Sequence, residues 1–194
     1  MFSQQFTSNR SRLSPWFATA LVLTITAYQL RYQGRLAFCS CGRLYPWAGD
    51  IWSSHNSQHL FDPYSFTHAL HGLALCGLLA WAVPNLSPVW RFWIAMSLEA
   101  LWEVVENSEF IIQRYREATL ALGYQGDTIV NSMGDILFCG IGFVLARRLG
   151  FRRSVVLFFV VDVVLLIWIR DSLLLNVVML IYPIDTVKAW QMGR

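Results

Sequence analysis

The stretch Thr67–Val83 reads T-H-A-L-H-G-L-A-L-C-G-L-L-A-W-A-V and is followed at once by Pro84. It contains no Asp, Glu, Lys or Arg, and its length falls within the roughly 17–25 residues that one helical crossing of a bilayer needs. His68 and His71 lie near its start, one helical turn apart, and so share a face. The stretch therefore predicts a membrane-spanning helix that carries two histidines at one end.

The composition of the whole chain has the same character. Of its 194 residues, 56% are hydrophobic and 14% are charged, whereas soluble domains are about 45–50% apolar and about 25% charged. The formal net charge of +3 is too small for a nucleic-acid-binding protein, and the apolar content excludes a disordered chain. We predict an all-α integral membrane protein with a single domain over residues 1–194.

Four more apolar stretches extend the pattern to about five membrane spans. The predicted spans lie near 15–30, 67–83, 90–112, 128–145 and 154–169. We expect the first span to be an uncleaved anchor and the outer loop 31–66 to fold back over the helix bundle. A short apolar segment at 173–182 continues the fifth helix, re-enters the membrane or lies in its interface.

Arginine residues predict the orientation of this polytopic bundle. With the N-terminus in the cytoplasm, the cytoplasmic segments hold seven arginines and no acidic residue, as the positive-inside rule requires. Those arginines are Arg10, Arg12, Arg91, Arg147, Arg148, Arg152 and Arg153. The expected location is the bacterial inner membrane, with the polar ends of the spans facing the periplasm.

All four histidines lie within seventeen residues. His55 and His59 form an H-x₃-H pair in the outer loop, and Asp62 follows them. Imidazole and carboxylate together suit a divalent metal such as zinc, so these three residues are the predicted metal ligands. His68 and His71 are predicted catalytic residues. A proton-carrying role without metal, or hydrogen bonding alone, is the alternative for the whole group.

Carboxylates form a second polar set. Glu99, Glu103 and Glu106 are spaced at i, i+4 and i+7 and so lie on one helical stripe, although a charge at membrane depth costs at least about 2.5–3.5 kcal/mol. Asp127 and Asn131 are spaced by four at the start of the fourth span. We predict catalytic roles for Glu103, Glu106 and Asp127, with one carboxylate acting as a general base.

Basic side chains are expected beside these acids. Arg114 and Arg116 lie between the third and fourth spans, and Arg170 follows the fifth span. Together with Asn131 they are the predicted binding residues for an anionic lipid head group. Structural pairing of the arginines with the carboxylates is the alternative.

Cys39 and Cys41 form the string C-S-C-G in the outer loop. This spacing is too short for an unstrained mutual disulfide and lacks the C-x-x-C redox pattern. We expect two ordinary loop thiols, and a soft-metal site is the alternative.

Several longer strings resemble a known family. They are C-S-C-G, S-S-H-N-S-Q-H-L-F-D, S-F-T-H-A-L-H-G, W-E-V-V-E-N-S-E-F-I-I-Q-R-Y-R, Y-Q-G-D-T-I-V-N-S-M-G-D, I-R-D-S-L-L-L-N-V-V-M-L-I-Y-P and K-A-W-Q. In this order they resemble an uncharacterised family of bacterial multi-pass inner-membrane proteins, a UPF-type domain of unknown function, over nearly all of the chain after about residue 35. More distantly, residues 60–150 resemble VanZ-like proteins. The family resemblance implies a cell-membrane location and no established activity.

These patterns leave three functional hypotheses. The first is a periplasm-facing site of His, Glu, Asp and Arg residues that binds or modifies an anionic lipid or lipid-linked substrate. The second is a non-enzymatic membrane scaffold or assembly factor in which the polar network only holds the helices together. A transporter is the third, and the apolar inner halves of the spans argue against it.

Overall fold

The computed structural model describes residues 3–119, 121 and 123–193, with side chains from Ser14 onward. This part of the chain forms eight α-helices and no strand. The helices are α1 (Ser3–Tyr32), α2 (Ser65–Ala82), α3 (Pro88–Glu106), α4 (Glu109–Ala118), α5 (Ile129–Leu149), α6 (Phe151–Ile169), α7 (Leu173–Ile181) and α8 (Asp185–Gln191). The predicted all-α class is therefore confirmed. The side chains of Arg10 and Arg12, used above for orientation, lie outside the described ones.

Helix boundaries follow from local chemistry. The hydroxyls of Ser87, Ser108, Thr128 and Ser172 accept hydrogen bonds from backbone N–H groups of the first turns of α3, α4, α5 and α7, which satisfies donors that a helix start leaves free. Between α5 and α6 the chain reverses at Gly150, whose φ of 77° suits glycine far better than residues with a Cβ.

The predicted third span differs from the structure. Instead of one helix over residues 90–112, α3 ends at Glu106 and α4 begins at Glu109. The side chain of Asn107 accepts from the N–H of Asp127 at 2.7 Å, and Ser108 caps α4. Both side chains compete with helix continuation, so part of the expected loop 113–126 is helical.

The short segment at 173–182 is a separate helix that does not continue α6. Arg170 adopts a left-handed conformation, with φ of 55°, and ends α6. Helix α7 then turns back, because the N–H of Leu174 donates to Asp162 Oδ1 at 3.2 Å. Asp162 lies about two turns before the end of α6, so the start of α7 is folded against that helix.

Helices α2 and α5 make the closest contact in the bundle. A Cβ added at Gly72 would collide with the backbone of Cys139 and Phe143, and one added at Gly142 would collide with the backbone of Ala69. The glycines thus let the two helix backbones touch. The buried core continues between α3 and α5 through Ala95, Met96 and Ala100 against Ile136, Cys139 and Phe143.

The outer loop lies over one end of this bundle, as predicted. The N–H groups of Ile129 and Val130 donate to the carbonyls of Leu36 and Ala37 at 2.8 and 3.1 Å. The N–H of Thr128 donates to Ser57 O at 3.0 Å. These contacts join the beginning and the later part of the loop to the start of α5. The loop itself has no helix or strand.

Two helices, α2 and α5, are long and apolar enough to cross a membrane. Helices α1, α3 and α6 have at least 19 residues each, but each of them contains three or more charged residues. The membrane character of the chain thus rests on the two apolar helices, and the five-span arrangement is treated as a proposal below.

The substitution Gly72→Ala tests the α2–α5 contact. We expect it to lower the free energy of unfolding by about 1–3 kcal/mol, since the new Cβ forces two backbones apart. Gly77→Ala is the matched control on the same helix, because no atom lies within 4 Å of its added Cβ. Thermal unfolding of the purified protein in detergent measures both variants, and equal melting temperatures would contradict the close contact.

Candidate functional site

His68 lies at the centre of a buried polar cluster formed by three helices. Its Nδ1 is 2.6 Å from Glu99 Oε1 and 3.3 Å from Glu103 Oε1, both on α3. On its other side, Nε2 is 4.0 Å from Asp135 Oδ2 on α5. The structure thus brings one imidazole within reach of three carboxylates from two other helices.

His71 extends this cluster toward the surface of the bundle. Its Nδ1 lies 3.0 and 3.1 Å from the two oxygens of Glu99, so one carboxylate binds both histidines. The side chain of His71 is 22% exposed, whereas that of His68 is 7% exposed. The ring of Trp102 packs edge-on to His71 with the ring centroids 6.2 Å apart. His71 is therefore the exposed end of the cluster.

Glu106 and Asp127 lie at the end of the cluster nearest the outer loop, which is called its outer end below. Ligand atoms of Glu103, Glu106 and Asp127 lie within 4.8 Å of one another. Tyr115 donates its hydroxyl to Glu106 at 2.7 Å, and Tyr124 donates to Asp127 at 2.9 Å. Burial raises the pKa of Asp127 above its ordinary value.

Asn107 connects the two sides of this outer end. Its Nδ2 donates to Asp127 Oδ2 at 2.9 Å, and its Oδ1 accepts from the Asp127 N–H at 2.7 Å. The outer end is therefore a closed hydrogen-bonded group that ties the break after α3 to the start of α5.

Asp62 and Asn131 lie beside the cluster under the outer loop. Asp62 accepts from the N–H groups of Ser57 and Tyr64 at 2.9 and 2.7 Å, and Asn131 Nδ2 is 3.5 Å away. Ser65 accepts from the Asp62 N–H and donates its hydroxyl to Asp135 at 2.6 Å. Burial, with a contribution from the negative charge of nearby Asp127, raises the pKa of Asp62 to about 6.

The cluster holds more acids than bases. Among the described side chains, every ion-pair contact within 4.0 Å joins His68 or His71 to a carboxylate, with no Lys or Arg present. Both carboxylate oxygens of Glu103 and Oε2 of Glu106 are buried and accept no hydrogen bond, although His68 Nδ1 approaches Glu103 Oε1 to 3.3 Å. Buried carboxylates without partners are costly when charged, so the site is suited to hold protons or a cation.

The predicted arginine contacts differ from the structure. Arg114 donates to the carbonyls of Leu180 and Ile181 at 2.8 and 3.3 Å. Arg116 donates to Tyr124 O, and Arg170 donates to Trp190 O at 3.1 Å. None of the three pairs with the carboxylate stripe, because carbonyls at or near the C-terminal ends of α7 and α8 and in the 119–128 loop are closer acceptors. The alternative of structural pairing with the carboxylates is therefore not seen in the described part of the chain, and the role of the three arginines as holders of an anionic head group stays a prediction.

The three predicted metal ligands do not all lie together in the structure. His55 Nδ1 and His59 Nε2 are 2.9 Å apart, but Asp62 faces Asn131 and the backbone as described above. The side chains beside the two histidines are instead Cys39 and Cys41, whose sulfur atoms lie within 4.8 Å of the ring nitrogens. The sequence pattern misplaced Asp62 because the loop turns between His59 and Asp62, and nothing in the spacing shows that turn.

Sequence reasoning missed two members of the buried cluster. Glu99 belongs to the predicted carboxylate stripe, but its spacing alone indicates no separate role for it. Asp135 continues the spacing of four from Asp127 and Asn131, which was the available signal. Asn107 carried no signal, since its importance depends on the break in the helix.

A separate groove lies at the opposite end of the bundle. It encloses about 490 Å³ between α2, α5 and α6 and is lined mainly by apolar side chains, with Arg91 and Arg147 at its polar edge. No histidine or carboxylate lines it, so the groove is distinct from the His68 cluster.

The raised pKa of Asp62 predicts a pH dependence of stability. The folded protein holds the Asp62 proton more tightly than the unfolded chain does, so the contribution of Asp62 to stability is largest below about pH 4 and is lost as the pH rises to about 6, by roughly 1–3 kcal/mol. Unfolding in detergent between pH 4 and 7 should show a shallower slope for Asp62→Asn than for the wild type. The exposed Asp50→Asn variant serves as the control, and an unchanged slope in Asp62→Asn would refute this assignment.

Comparison with known proteins agrees with the family resemblance. The family model described as "Protein of unknown function (DUF2585)" matches residues 30–193. A UPF0314 protein of Paracoccus denitrificans is 43% identical over 180 residues, which cover 93% of each chain. A UPF0314 protein of Sphingopyxis alaskensis is 40% identical over 178 residues, covering 92% of this chain and 95% of the relative.

No solved structure matches the chain, and the more distant resemblance to VanZ-like proteins stays a prediction. The family match spans the outer loop, the His68 cluster and the C-terminal helices. The chain therefore belongs to the UPF0314 family of unknown function and carries the DUF2585 domain.

Proposed function

We propose that the chain is a five-span protein of the bacterial inner membrane, crossed by α1, α2, α3, α5 and α6. The exposed apolar faces of the outer helices α1 and α6 support this. On α6, Val156, Phe159 and Ile167 are between 53% and 77% exposed, and on α1 the exposure of Phe17 is 71%. Large apolar faces of this kind are unfavourable in water and favourable in contact with the acyl chains of a bilayer.

The proposed orientation has the N-terminus in the cytoplasm and the His68 cluster near the periplasm. Arg147, Arg148, Arg152 and Arg153 lie around the turn between α5 and α6, with no acidic residue between them. The opposite end of the bundle contains the outer loop and the acidic groups around Asp127. Positive charge at the cytoplasmic side is the expected pattern.

Fusions of alkaline phosphatase, which is active only after export, test this topology. A fusion after residue 193 should be active, because five spans place that point in the periplasm. A fusion after Gly150 should have activity at least tenfold lower, since four spans place that point in the cytoplasm. Immunoblots control for expression, and the reverse pattern of activities would refute the orientation.

For the site, we infer acid–base chemistry on a lipid or lipid-linked substrate. The observation that carries this inference is the position of His71, the partly exposed end of an otherwise buried cluster. Leu78 on α2 and Leu98 and Leu101 on α3, the two helices that carry His71 and Glu99, are exposed. In the proposed topology His71 therefore faces the bilayer. A substrate that reaches His71 therefore comes from the membrane.

Each residue of the cluster has a role in this proposal. His71 contacts the substrate, and Glu99 orients both imidazoles through its two oxygens. His68 lies between Glu99, Glu103 and Asp135 and carries a proton between them, as an imidazole can near neutral pH. The substrate class stays broad, because the arginines expected to bind an anionic head group contact carbonyls instead.

Complementation in Paracoccus denitrificans tests the proposed chemistry. Deleting its 43% identical relative should change the lipid profile, measured by mass spectrometry, and this chain should restore it. His71→Gln and Glu103→Gln, which nearly preserve side-chain volume, should fail to restore it while reaching wild-type membrane levels. The exposed Asn85→Ala is the control. Normal lipid profiles with both Gln variants would exclude the acid–base proposal.

A scaffold is the second candidate, and the closed network at the outer end favours it. Asn107, Asp127, Tyr124 and Ser132 form hydrogen bonds that join the end of α3 to the start of α5. If the polar residues are only structural, Glu103→Gln lowers the melting temperature in detergent and leaves the lipid profile unchanged. The acid–base proposal predicts the changed lipid profile whether or not the melting temperature moves.

A further inference from the structure

The outer loop holds a second cluster that the His68 site does not use. Cys39, Cys41, His55 and His59 each offer one ligand atom, and the four atoms lie within 4.8 Å of one another. Cys39 and His59 are buried, with 3% and 1% of their surface exposed. Two thiols and two imidazoles from separate parts of the loop thus converge on one point.

Local turns explain how the chain brings these groups together. The N–H of Gly42 donates to Cys39 O at 3.1 Å, and Gly42 has a φ of 73°, so the chain turns sharply around the C-x-C pair. The N–H of Gln58 donates to His55 O at 3.2 Å. The His55 and His59 rings stack with their centroids 5.0 Å apart. Both pairs therefore present their donor atoms to the same side.

We propose that Cys39, Cys41, His55 and His59 bind one Zn²⁺ ion in a tetrahedral Cys₂His₂ site. With Zn–S distances of about 2.3 Å and Zn–N distances of about 2.0–2.1 Å, tetrahedral ligands lie about 3.6 Å apart for S···N and about 3.3 Å apart for N···N. The structure has 3.7 Å between Cys39 Sγ and His55 Nδ1 and 2.9 Å between the two ring nitrogens. Both distances lie within about half an ångström of the values for tetrahedral zinc, and the remaining ligand atoms lie within 4.8 Å of one another.

The ligands are not equivalent. The N–H of Tyr45 donates to His59 Nδ1 at 3.2 Å, which requires that nitrogen to be free of a proton. Metal binding through Nε2 places the ring proton on Nδ1, so this contact must lengthen when His59 ligates. His59 is therefore the weaker imidazole ligand, and His55, whose Nδ1 faces Cys39 Sγ and His59 Nε2, is the stronger one.

Four protein ligands leave no open coordination position, which is typical of structural zinc. The loop from Arg35 to Tyr64 has no helix or strand, and long loops of this kind need another source of order. A metal that joins residue 39 to residue 59 closes most of the loop and favours one conformation. Zinc thus fixes the loop over the periplasmic end of the bundle.

Metal analysis of the full chain, purified in detergent under reducing conditions and incubated with Zn²⁺, tests the proposal. We expect about one zinc per chain after removal of free metal, and at least tenfold less in the Cys39→Ser/Cys41→Ser and His55→Ala variants. Cys76→Ser removes a thiol outside the cluster and should keep full zinc content. His59→Ala should weaken binding less than His55→Ala.

Cobalt substitution gives an independent readout, because tetrahedral Co²⁺ bound to thiolate has a sulfur-to-metal charge-transfer absorption. The wild type and Glu103→Gln should both show this band, and the double cysteine variant should lack it. Retained zinc in the double cysteine variant, or no zinc in the reduced wild type, would overturn the proposal. Because Glu103 takes no part in this site, failure of the acid–base proposal leaves these outcomes unchanged.

Discussion

The contact between His68 and Glu99 is the interaction on which the polar interior of this bundle depends. One carboxylate oxygen lies 2.6 Å from the imidazole, and Glu103 and Asp135 face the same ring from two helices. Without an imidazole there, three carboxylates would meet in a buried space with no lysine or arginine among the described neighbours. Removing one partner of a buried charged group costs about 3–5 kcal/mol, so the helices α2, α3 and α5 are held around this residue.

The glycines of α2 and α5 make that arrangement geometrically feasible. Gly72 lies one turn after His68, and Gly134 directly precedes Asp135. Gly72 allows α5 to approach α2, and a Cβ at Gly134 would collide with the carbonyl of Leu60 from the outer loop. Small residues beside the polar ones bring backbones close, as in membrane helix packing generally. The acid cluster is therefore compact because Gly72 on α2 and Gly134 on α5, which lie beside its members, have no side chain.

The sequence predicted the five long helices because apolar length and periodicity depend on local composition, but it did not predict the break between α3 and α4. It also predicted that the polar ends of the spans lie on one side, and the structure brings His68 and Glu103 together at 3.3 Å. It failed where a side chain's partner depends on the path of the backbone. Arg114 binds carbonyls at the end of α7, whose return toward α4 no spacing reveals. Asp62 lies away from His55 and His59 for the same reason, since the loop turn between them is set by tertiary contacts.

The outer loop and the buried cluster form one continuous network through Ser57. This residue lies midway between His55 and His59 and has a φ of 60°, a conformation that is unfavourable for a residue with a Cβ. Its N–H binds Asp62, and its carbonyl accepts from Thr128 at the start of α5. The strained backbone is therefore held by contacts on both sides.

From Asp62 the network continues inward. Its N–H donates to the Ser65 hydroxyl, which in turn donates to Asp135 at 2.6 Å, and Asp135 faces His68. A ligand that fixes the two loop imidazoles also fixes Ser57 between them, and with it the position of Asp62 and the first turn of α5. The order of the loop and the geometry around His68 are thus parts of one structure, because every step between them is a direct hydrogen bond or a covalent bond apart from the last, 4.0 Å approach of Asp135 to His68.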